Sequence, residues 1–454
     1  MNIFRKLSDI LRLLFLKINK ENIERKSEPQ VNYLLQKQLL LEILIETSQN
    51  PESPSIYPLL QGNLNLLNDD FIEILRNWTK DALSQRDEPL YLAWAIGNFS
   101  NLIQRFPLGS RAINLEIAIA GYESIGSVFS RETFSEVWAT SQINLAIAYR
   151  NRIRGEKAEN IELAIDSYQN ALRFFTYEAF PQDWAMIQNN LVAVYSDRID
   201  GEKAQNVELA INHCQAALQV YTRESFPQQW ATTQHNLASA YLHRISGDKA
   251  ENIELAIGSC RSALEVRTRE ALPQDWATTQ NNLAVAYSNR IHGEVAENLE
   301  LAIGCYQSAL EVRTREAFPK DWAGTQNNLG LSYSDRIRGD KAENIELAIA
   351  CYQAALQVYS REEFPQDWAM VQSNLGIAYG RRICDDKAAN VELAINFYKN
   401  ALQVYTHEAF PIDWSRIQNN LATSYRERIQ GDKAENIEMA INHCQAALKV
   451  RNIK

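Results

Sequence analysis

Apolar residues in this chain fall into two short helical stripes that recur along it. Trp184, Ile187, Leu191 and Tyr195 stand at i, i+3, i+7 and i+11, one face of an α-helix. Pro181 suits the first turn, where its missing N–H leaves nothing unmade. Asp183 beside it is favourable at the positive end of the helix dipole. The pattern predicts a stop near Ile199, with Gly201 as a left-handed cap. Its counterparts are Gly155, Gly247, Gly293, Gly339 and Gly431, and in one copy Asp385, a residue type that tolerates that backbone region. A second helix is predicted from Asn206, a preferred N-cap type, with Glu208 in the first turn. Its stripe is Val207, Ala210, Ile211, Cys214, Ala217, Leu218 and Tyr221, in which the two alanines allow close helix approach. Neither helix can bury its stripe inside one unit, so copies must stack.

The copies are easy to count. Trp138, Trp184, Trp230, Trp276, Trp322, Trp368 and Trp414 are spaced 46 residues apart without a slip. A fixed period of that size is the signature of a helical solenoid. An earlier copy is degenerate: Asn114–Tyr122 aligns with Asn160–Tyr168 one period on, but Leu92 stands where the tryptophan should be and Trp94 is two residues off. The reading is an N-terminal helical region over residues 1–87, a degenerate repeat over 88–133, and seven repeats over 134–454. In the first region, helices are expected at Val31–Thr47, around Leu59–Leu67 and at Asp69–Ser84, with Trp78 in a local core. The proline-rich stretch Ser48–Pro58 reads as a loop. Residues 1–20 form a basic amphipathic pattern: Ile3, Phe4, Leu7, Ile10, Leu11, Leu14 and Ile18 at helical spacing, with Arg5, Lys6, Arg12, Lys17 and Lys20 between. Such a segment either lies on a membrane surface or a partner helix, or packs on the body of the protein.

Leu191-x-x-x-Tyr195 followed by Ala210-x-x-x-Cys214-x-x-Ala217 resembles the tetratricopeptide repeat, and Gly330 and Gly376 supply the small glycine that family carries after the leucine. The resemblance implies an all-α, right-handed α-α superhelix of eight helix pairs behind an N-terminal cap. The period departs from the family's shorter one, with extra residues between the helices and again before the proline. This longer form is similar to repeats of cyanobacterial tetratricopeptide proteins that often end in a caspase-like CHAT protease domain, and Ile96–Gly109 is similar to the segment that leads into them. The resemblance covers roughly residues 55–454, and no protease domain is expected within them.

Composition narrows the function classes. The net charge of −10 argues against a nucleic-acid groove. No apolar run reaches the roughly 18–20 residues of a membrane span. The six cysteines mostly take helix positions that carry tyrosine or small residues in other copies, which fits packing in a reducing cytoplasm and not disulfides or metal ligation. His213–Cys214 and His443–Cys444 are neighbours on a helix and cannot face each other as nucleophile and base. No enzyme, cofactor or metal is expected.

The candidate binding residues lie on the first helix of each repeat, which the resemblance places on the concave face. Asn144, Asn190, Asn236, Asn282, Asn328, Asn374 and Asn420 never vary, and Gln142, Gln188, Gln234, Gln280, Gln326, Gln372 and Gln418 precede them by two. An amide both donates and accepts, so such a ladder can hold an extended peptide backbone. In the related repeats the matching asparagine contacts bound peptides, which is what the resemblance implies here. Seven residues further on the chain varies: Asn151, Asp197, His243, Asn289, Asp335, Arg381 and Glu427. A fixed row beside a variable row reads as selective recognition. The competing reading is that the amides tie helices together and the variable row is solvated surface. Arg152, Arg198, Arg244, Arg290, Arg336, Arg382 and Arg428 close the first helices, where a cation suits the dipole and can reach a second-helix glutamate such as Glu208. The expected function is a protein-interaction scaffold for a peptide or partner protein. Its alternatives are a regulatory subunit for a separately encoded CHAT-type protease and a membrane-surface adaptor anchored by residues 1–20.

Overall fold

The amphipathic stripes do become paired helices in the computed structural model, which describes residues 11–12, 27–50, 54–84 and 89–451. Helix α1 spans Glu28–Gln49, a short α2 covers Tyr57–Gly62 between two 3-10 turns, and α3 runs from Asp69 to Ser84. Helix α1 is thus longer than Val31–Thr47, and the expected helix at Leu59–Leu67 breaks at Gly62 into a separate turn over Leu64–Leu66. The buried Gln36 fixes these pieces together. Its Nε2 donates to Leu66 O at 3.0 Å and to Asn68 Oδ1 at 2.8 Å. The amphipathic segment of residues 1–20 lies outside the described residues, apart from Leu11, which is buried, and Arg12, which is exposed.

The described residues fall into two units, divided between Ser225 and Phe226. The first unit adds three helix pairs to α1–α3: α4 (Pro89–Arg105) with α5 (Arg111–Val128), α6 (Ser135–Asn151) with α7 (Lys157–Leu172), and α8 (Pro181–Asp197) with α9 (Lys203–Ala217). The second unit holds five: α10 (Pro227–His243) with α11 (Lys249–Leu264), α12 (Pro273–Ser288) with α13 (Val295–Leu310), α14 (Pro319–Ser334) with α15 (Lys341–Ala355), α16 (Pro365–Arg381) with α17 (Lys387–Ala401), and α18 (Pro411–Glu427) with α19 (Lys433–Arg451). No strand occurs among the described residues. Below, the first and second helix of a pair are called A and B.

Each pair is antiparallel. Along α16 and α17, Arg382 meets Asn390, Gly376 meets Tyr398 and Gln372 meets Asn400. The predicted stripes form the core: Ile187, Leu191 and Tyr195 on the A side, and Ala210, Ile211, Cys214, Ala217 and Tyr221 on the B side, are buried. Gly376 shows why a small residue is needed at that point of helix A. A Cβ there would stand 2.6 Å from the Tyr398 ring. Copies with Cys214 or Cys260 in place of the tyrosine carry Val192 or Ala238 in place of the glycine. Two other copies pair alanine with the tyrosine, Ala146 with Tyr168 and Ala284 with Tyr306, so only the valine copy, Val192 with Cys214, needs the smaller partner. Burial pushes the Cys214 and Cys260 thiols up to about 12.

Three local expectations need correction. Helix A ends at Asp197, because Arg198 is already extended (φ −66°, ψ 126°), so Gly201 sits inside the A–B turn and does not cap the helix. The glycine is still required there: Gly201 has φ +79°, and Asp385, which replaces it in one copy, has φ +66°. Asn206 is no N-cap. Helix B starts at Lys203 after Glu202, and in α11 and α15 the caps Asp248 and Asp340 accept from the Glu251 and Glu343 N–H groups. Asn206 lies inside the first turn, buried, donating to Asp200 O at 2.9 Å and so closing the turn around the glycine. Finally, the repeat tryptophans and Trp78 are only half-buried. The repeat tryptophans sit in the first turn of their helices, as Trp184 does in Pro181–Asp197.

Candidate peptide-binding face

The A helices carry the invariant amides part-way into the surface. Asn144, Asn190, Asn236, Asn282, Asn328, Asn374 and Asn420 are all half-buried. The glutamines two residues earlier divide. Gln188, Gln372 and Gln418 are buried, whereas Gln142, Gln234, Gln280 and Gln326 are half-buried. The buried ones bridge A to B within a repeat: Gln188 to His213 Nδ1 at 2.5 Å, Gln418 to His443 Nδ1 at 2.6 Å, and Gln372 Oε1 to Asn400 Nδ2 at 3.2 Å. Burial pushes His213 down to about 4, so its ring is neutral at pH 7.

The asparagines contact different groups in different copies. Asn190 hydrogen-bonds the Tyr168 hydroxyl. Asn282 Nδ2 lies 3.5 Å from His235 Nε2, and Asn374 Nδ2 donates to Asn327 Oδ1 at 2.9 Å. Asn328 Oδ1 accepts from its neighbour Asn327 at 3.4 Å. The variable row is fully outside: Asn151, Asp197, His243, Asn289, Asp335, Arg381 and Glu427 are exposed. Arg381 pairs with Asp335 along the row at 3.1 Å, and Asp197 pairs with Arg150, the neighbour of Asn151, at 2.9 Å. Exposed pairs of this kind are worth at most about 1 kcal/mol and open readily for a ligand.

The recurrent arginines have another task. Each described pairing crosses a repeat boundary to helix B of the preceding copy, in a two-pronged contact. Arg198 meets Glu162 at 2.7 and 2.8 Å, Arg152 meets Glu116 at the same distances, and Arg336 meets Glu300 at 2.8 Å twice. Arg290–Glu254, Arg382–Glu346 and Arg428–Glu392 repeat it. The same arginine donates to the turn asparagine of its own repeat, as Arg336 does to Asn344 Oδ1 at 3.4 Å. The partner type matches the expectation of a helix-B glutamate, and the geometry identifies the copy that supplies it. The guanidinium ions hold the Glu254 and Glu300 carboxyls below the usual carboxylate range.

A polar cluster beside the amide row was not anticipated. Arg267 and Arg313 are 4% and 8% exposed, at a position where other copies bury Phe175, Tyr221, Tyr359 and Tyr405. Threonine hydroxyls receive them: Arg267 donates to Thr279 and Thr232 at 3.0 Å each, and Arg313 to Thr325 at 2.9 Å and Thr278 at 3.0 Å. Asp275, 3.9 Å from Arg267, is a half-exposed counter-ion. Burial pushes both guanidinium groups below their ordinary value. Burial, together with their charge, pushes the nearby His235 down to about 3. The signal was present in the chain: Arg267 and Arg313 alone combine with threonine both at their own copy's helix-A position and at the next copy's.

Among the described residues, no group of three His, Cys, Asp or Glu side chains is arranged to hold a metal ion. Nor is any described helix long and apolar enough to cross a membrane.

Comparison with known proteins gives a match to one family over part of the chain. The tetratricopeptide-repeat model matches residues 322–365, just under one period of the array. No curated protein sequence matches the chain. Among solved structures, the apo form of RapI is similar at 13% identity over 69% of this chain and 97% of that one, with a TM-score of 0.45. Cut9 with Hcn1, of the APC/C hetero-tetramer, matches at 13% identity over 98% and 87% with a TM-score of 0.36. The P58(IPK) TPR domain matches at 13% over 94% and 100% with a TM-score of 0.27.

Proposed function

We propose that this chain, of which residues 322–365 match the tetratricopeptide-repeat family, is a non-enzymatic cytoplasmic scaffold that holds an extended peptide, or a partner protein presenting one, on its A helices. The observation that supports this is the pairing of two rows on one helix: half-buried invariant amides beside exposed residues that change from copy to copy. The amides offer backbone-directed donors and acceptors at a regular step. The variable row, Asp197, His243, Asn289, Asp335, Arg381 and Glu427, then selects side chains of the ligand by charge. The test is affinity capture from the native host with the wild-type chain and with an Asn236/Asn282/Asn328→Ala variant of unchanged circular dichroism. Partners lost from the variant, and restored affinity of the purified partner for wild type alone, support the face. Partners retained equally by both would remove it.

A further inference from the structure

Helices α1 and α3 leave between them a groove of about 620 Å3, within the size range of ordinary ligand pockets. It stands open: Tyr33, on its α1 wall, is 50% exposed. The α3 wall is one helical face on which Asp70, Glu73 and Asp81 stand beside Ile74 and Trp78. Glu28 adds a fourth carboxylate from α1, against Lys37 as the one cation of the described lining. The fold accounts for part of this charge. Glu28 and Asp70 open their helices, where a carboxylate suits the dipole, and Glu73 pairs with Arg76 at 3.1 Å. Asp81 has neither reason. It lies in the last turn of α3, the unfavourable end for an anion, and no cation pairs with it among the described residues. Two further features point to a cation that donates hydrogen bonds. Lys37 Nζ already stands 6.0 Å from the centroid of the Tyr33 ring, so this aromatic face holds an ammonium group where it sits. Gln36 is 2% exposed and spends its Nε2 on Leu66 O at 3.0 Å and Asn68 Oδ1 at 2.8 Å. Its Oε1 is left without a partner where Gln36 lines the groove, an acceptor that an incoming N–H would satisfy.

We propose that this groove binds a basic segment of a partner protein, its Lys or Arg side chains lying over Tyr33 and Trp78 and donating to Asp70, Asp81 and the Gln36 amide oxygen. Charge decides between occupants. Four carboxylates repel a nucleic acid or an anionic bilayer and complement a cationic chain. The apolar groups between them suit the hydrocarbon stems of long basic side chains, whose charged heads then reach the carboxylates. Residues of α1 and α3 alone build the groove, so it neither needs nor supports the peptide-binding reading of the A helices.

The test is fluorescence anisotropy of labelled octa-arginine titrated with the full chain at about 0.15 M salt, where long-range attraction between exposed charges is largely screened. Binding should saturate. Asp70→Asn with Asp81→Asn should weaken it about tenfold, and Tyr33→Ser should weaken it to a similar degree. Tyr33 is exposed, so its variant keeps the test valid if loss of the carboxylates disturbs α3. A charge-matched control, Glu270→Gln with Glu362→Gln on exposed turns of the array, should change the affinity less than about twofold. Four results would overturn the proposal. The first is no saturable binding, and the second is binding indifferent to both groove variants. The third is equal weakening by groove and control variants, which would reduce the effect to general attraction by a chain of net charge −10. The fourth is spermine competing as tightly as the peptide, which would assign the groove to a small polyamine.

Discussion

Asn344→Asp separates two accounts of the residue that opens each B helix. If Asn344 were an N-cap, aspartate would serve equally well, and the change would cost a few tenths of a kcal/mol. The structure places it differently. Asn344 is 3% exposed, its Nδ2 donates to Arg338 O at 2.8 Å, and its Oδ1 accepts from Arg336 Nη1 at 3.4 Å. An ionised aspartate has no donor, so the Arg338 carbonyl would lose its partner and face a carboxylate oxygen. Leaving a buried carbonyl unpaired costs about 1–3 kcal/mol. Closer pairing with Arg336, whose side chain is 26% exposed, returns about 1 kcal/mol once the cost of burying the new carboxylate is set against it. The expected net loss is about 1–2 kcal/mol for Asn344→Asp, and about 2–4 kcal/mol for Asn344→Ala, which surrenders both contacts. Asp340→Ala, at the true cap, should cost about 1 kcal/mol. Urea unfolding followed by tryptophan fluorescence supplies the midpoints. Because repeat arrays can open in parts, hydrogen exchange across Arg338–Leu347 should be read with it. Asn344→Asp within about 0.3 kcal/mol of wild type would refute the reasoning and restore the cap.

Other consequences can be measured in the same preparation. Removing the arginine of one inter-repeat contact, as in Arg336→Met, should cost about 1–2 kcal/mol, and a double-mutant cycle with Glu300→Gln should return a coupling of about 1 kcal/mol; a coupling near zero would make the contact decorative. Glu254 and Glu300 have lowered pKa values in the folded protein, so their unfolded forms bind protons first as pH falls. Their contribution is therefore complete above the ordinary glutamate value of about 4.3 and is lost as pH drops through the lowered one. A melting-temperature series from pH 7 to pH 2 should show a shallower acid limb for Arg290→Met/Arg336→Met than for wild type. Gly376→Ala gains helix propensity of up to about 1 kcal/mol but forces a Cβ to 2.6 Å from the Tyr398 ring, a clash of about 1–3 kcal/mol, so it should destabilise. Adding Tyr398→Cys, the combination found in the copy with Ala238 and Cys260, should relieve the clash.

Much of this fold was legible because its periodicity is doubled: a helical step within each stripe and a 46-residue step between stripes. Helix identity, pairing and the buried faces around Leu191 and Ala217 follow from that alone. Boundaries do not. Lys203, Ala204 and Gln205 read as turn because they precede the apolar stripe, yet they form the first turn of α9, and a capping rule based on residue type settles on the wrong residue, Asn206. Depth was equally hidden. Trp184 shares a stripe with Ile187 and Leu191, but position along the helix decides that it stops half-way in. The Arg–Glu contacts span 36 residues and cross a repeat boundary, and a periodic chain offers every copy as an equal partner until helix packing chooses one. Arg267 and Arg313 were hidden by scale, since only a column-by-column reading of the copies reveals their matching threonines.

Sameness between copies needs a cause, and the copies supply a way to distinguish causes. Arg152, Arg198, Arg290, Arg336, Arg382 and Arg428 are invariant, and each keeps the same kind of partner in the same geometry. A framework residue behaves this way because its partner is part of the framework. The amide row does so less strictly. Asn282 and Asn374 both reach the residue 47 places back, a histidine in one copy and an asparagine in the other, and Asn190 a tyrosine hydroxyl, while the asparagine itself stays fixed. A residue that is retained while its neighbours change is poorly explained by those neighbours. If the row is kept for an outside ligand, its stability role is small: Asn282→Ala and Asn374→Ala, losing one half-exposed hydrogen bond each, should cost less than about 1 kcal/mol. Affinity for a captured partner should fall by far more than that in proportion. Unfolding midpoints shifted as strongly as by Arg336→Met would instead place the asparagines in the framework, and the search for the binding face would move to the exposed residues that vary.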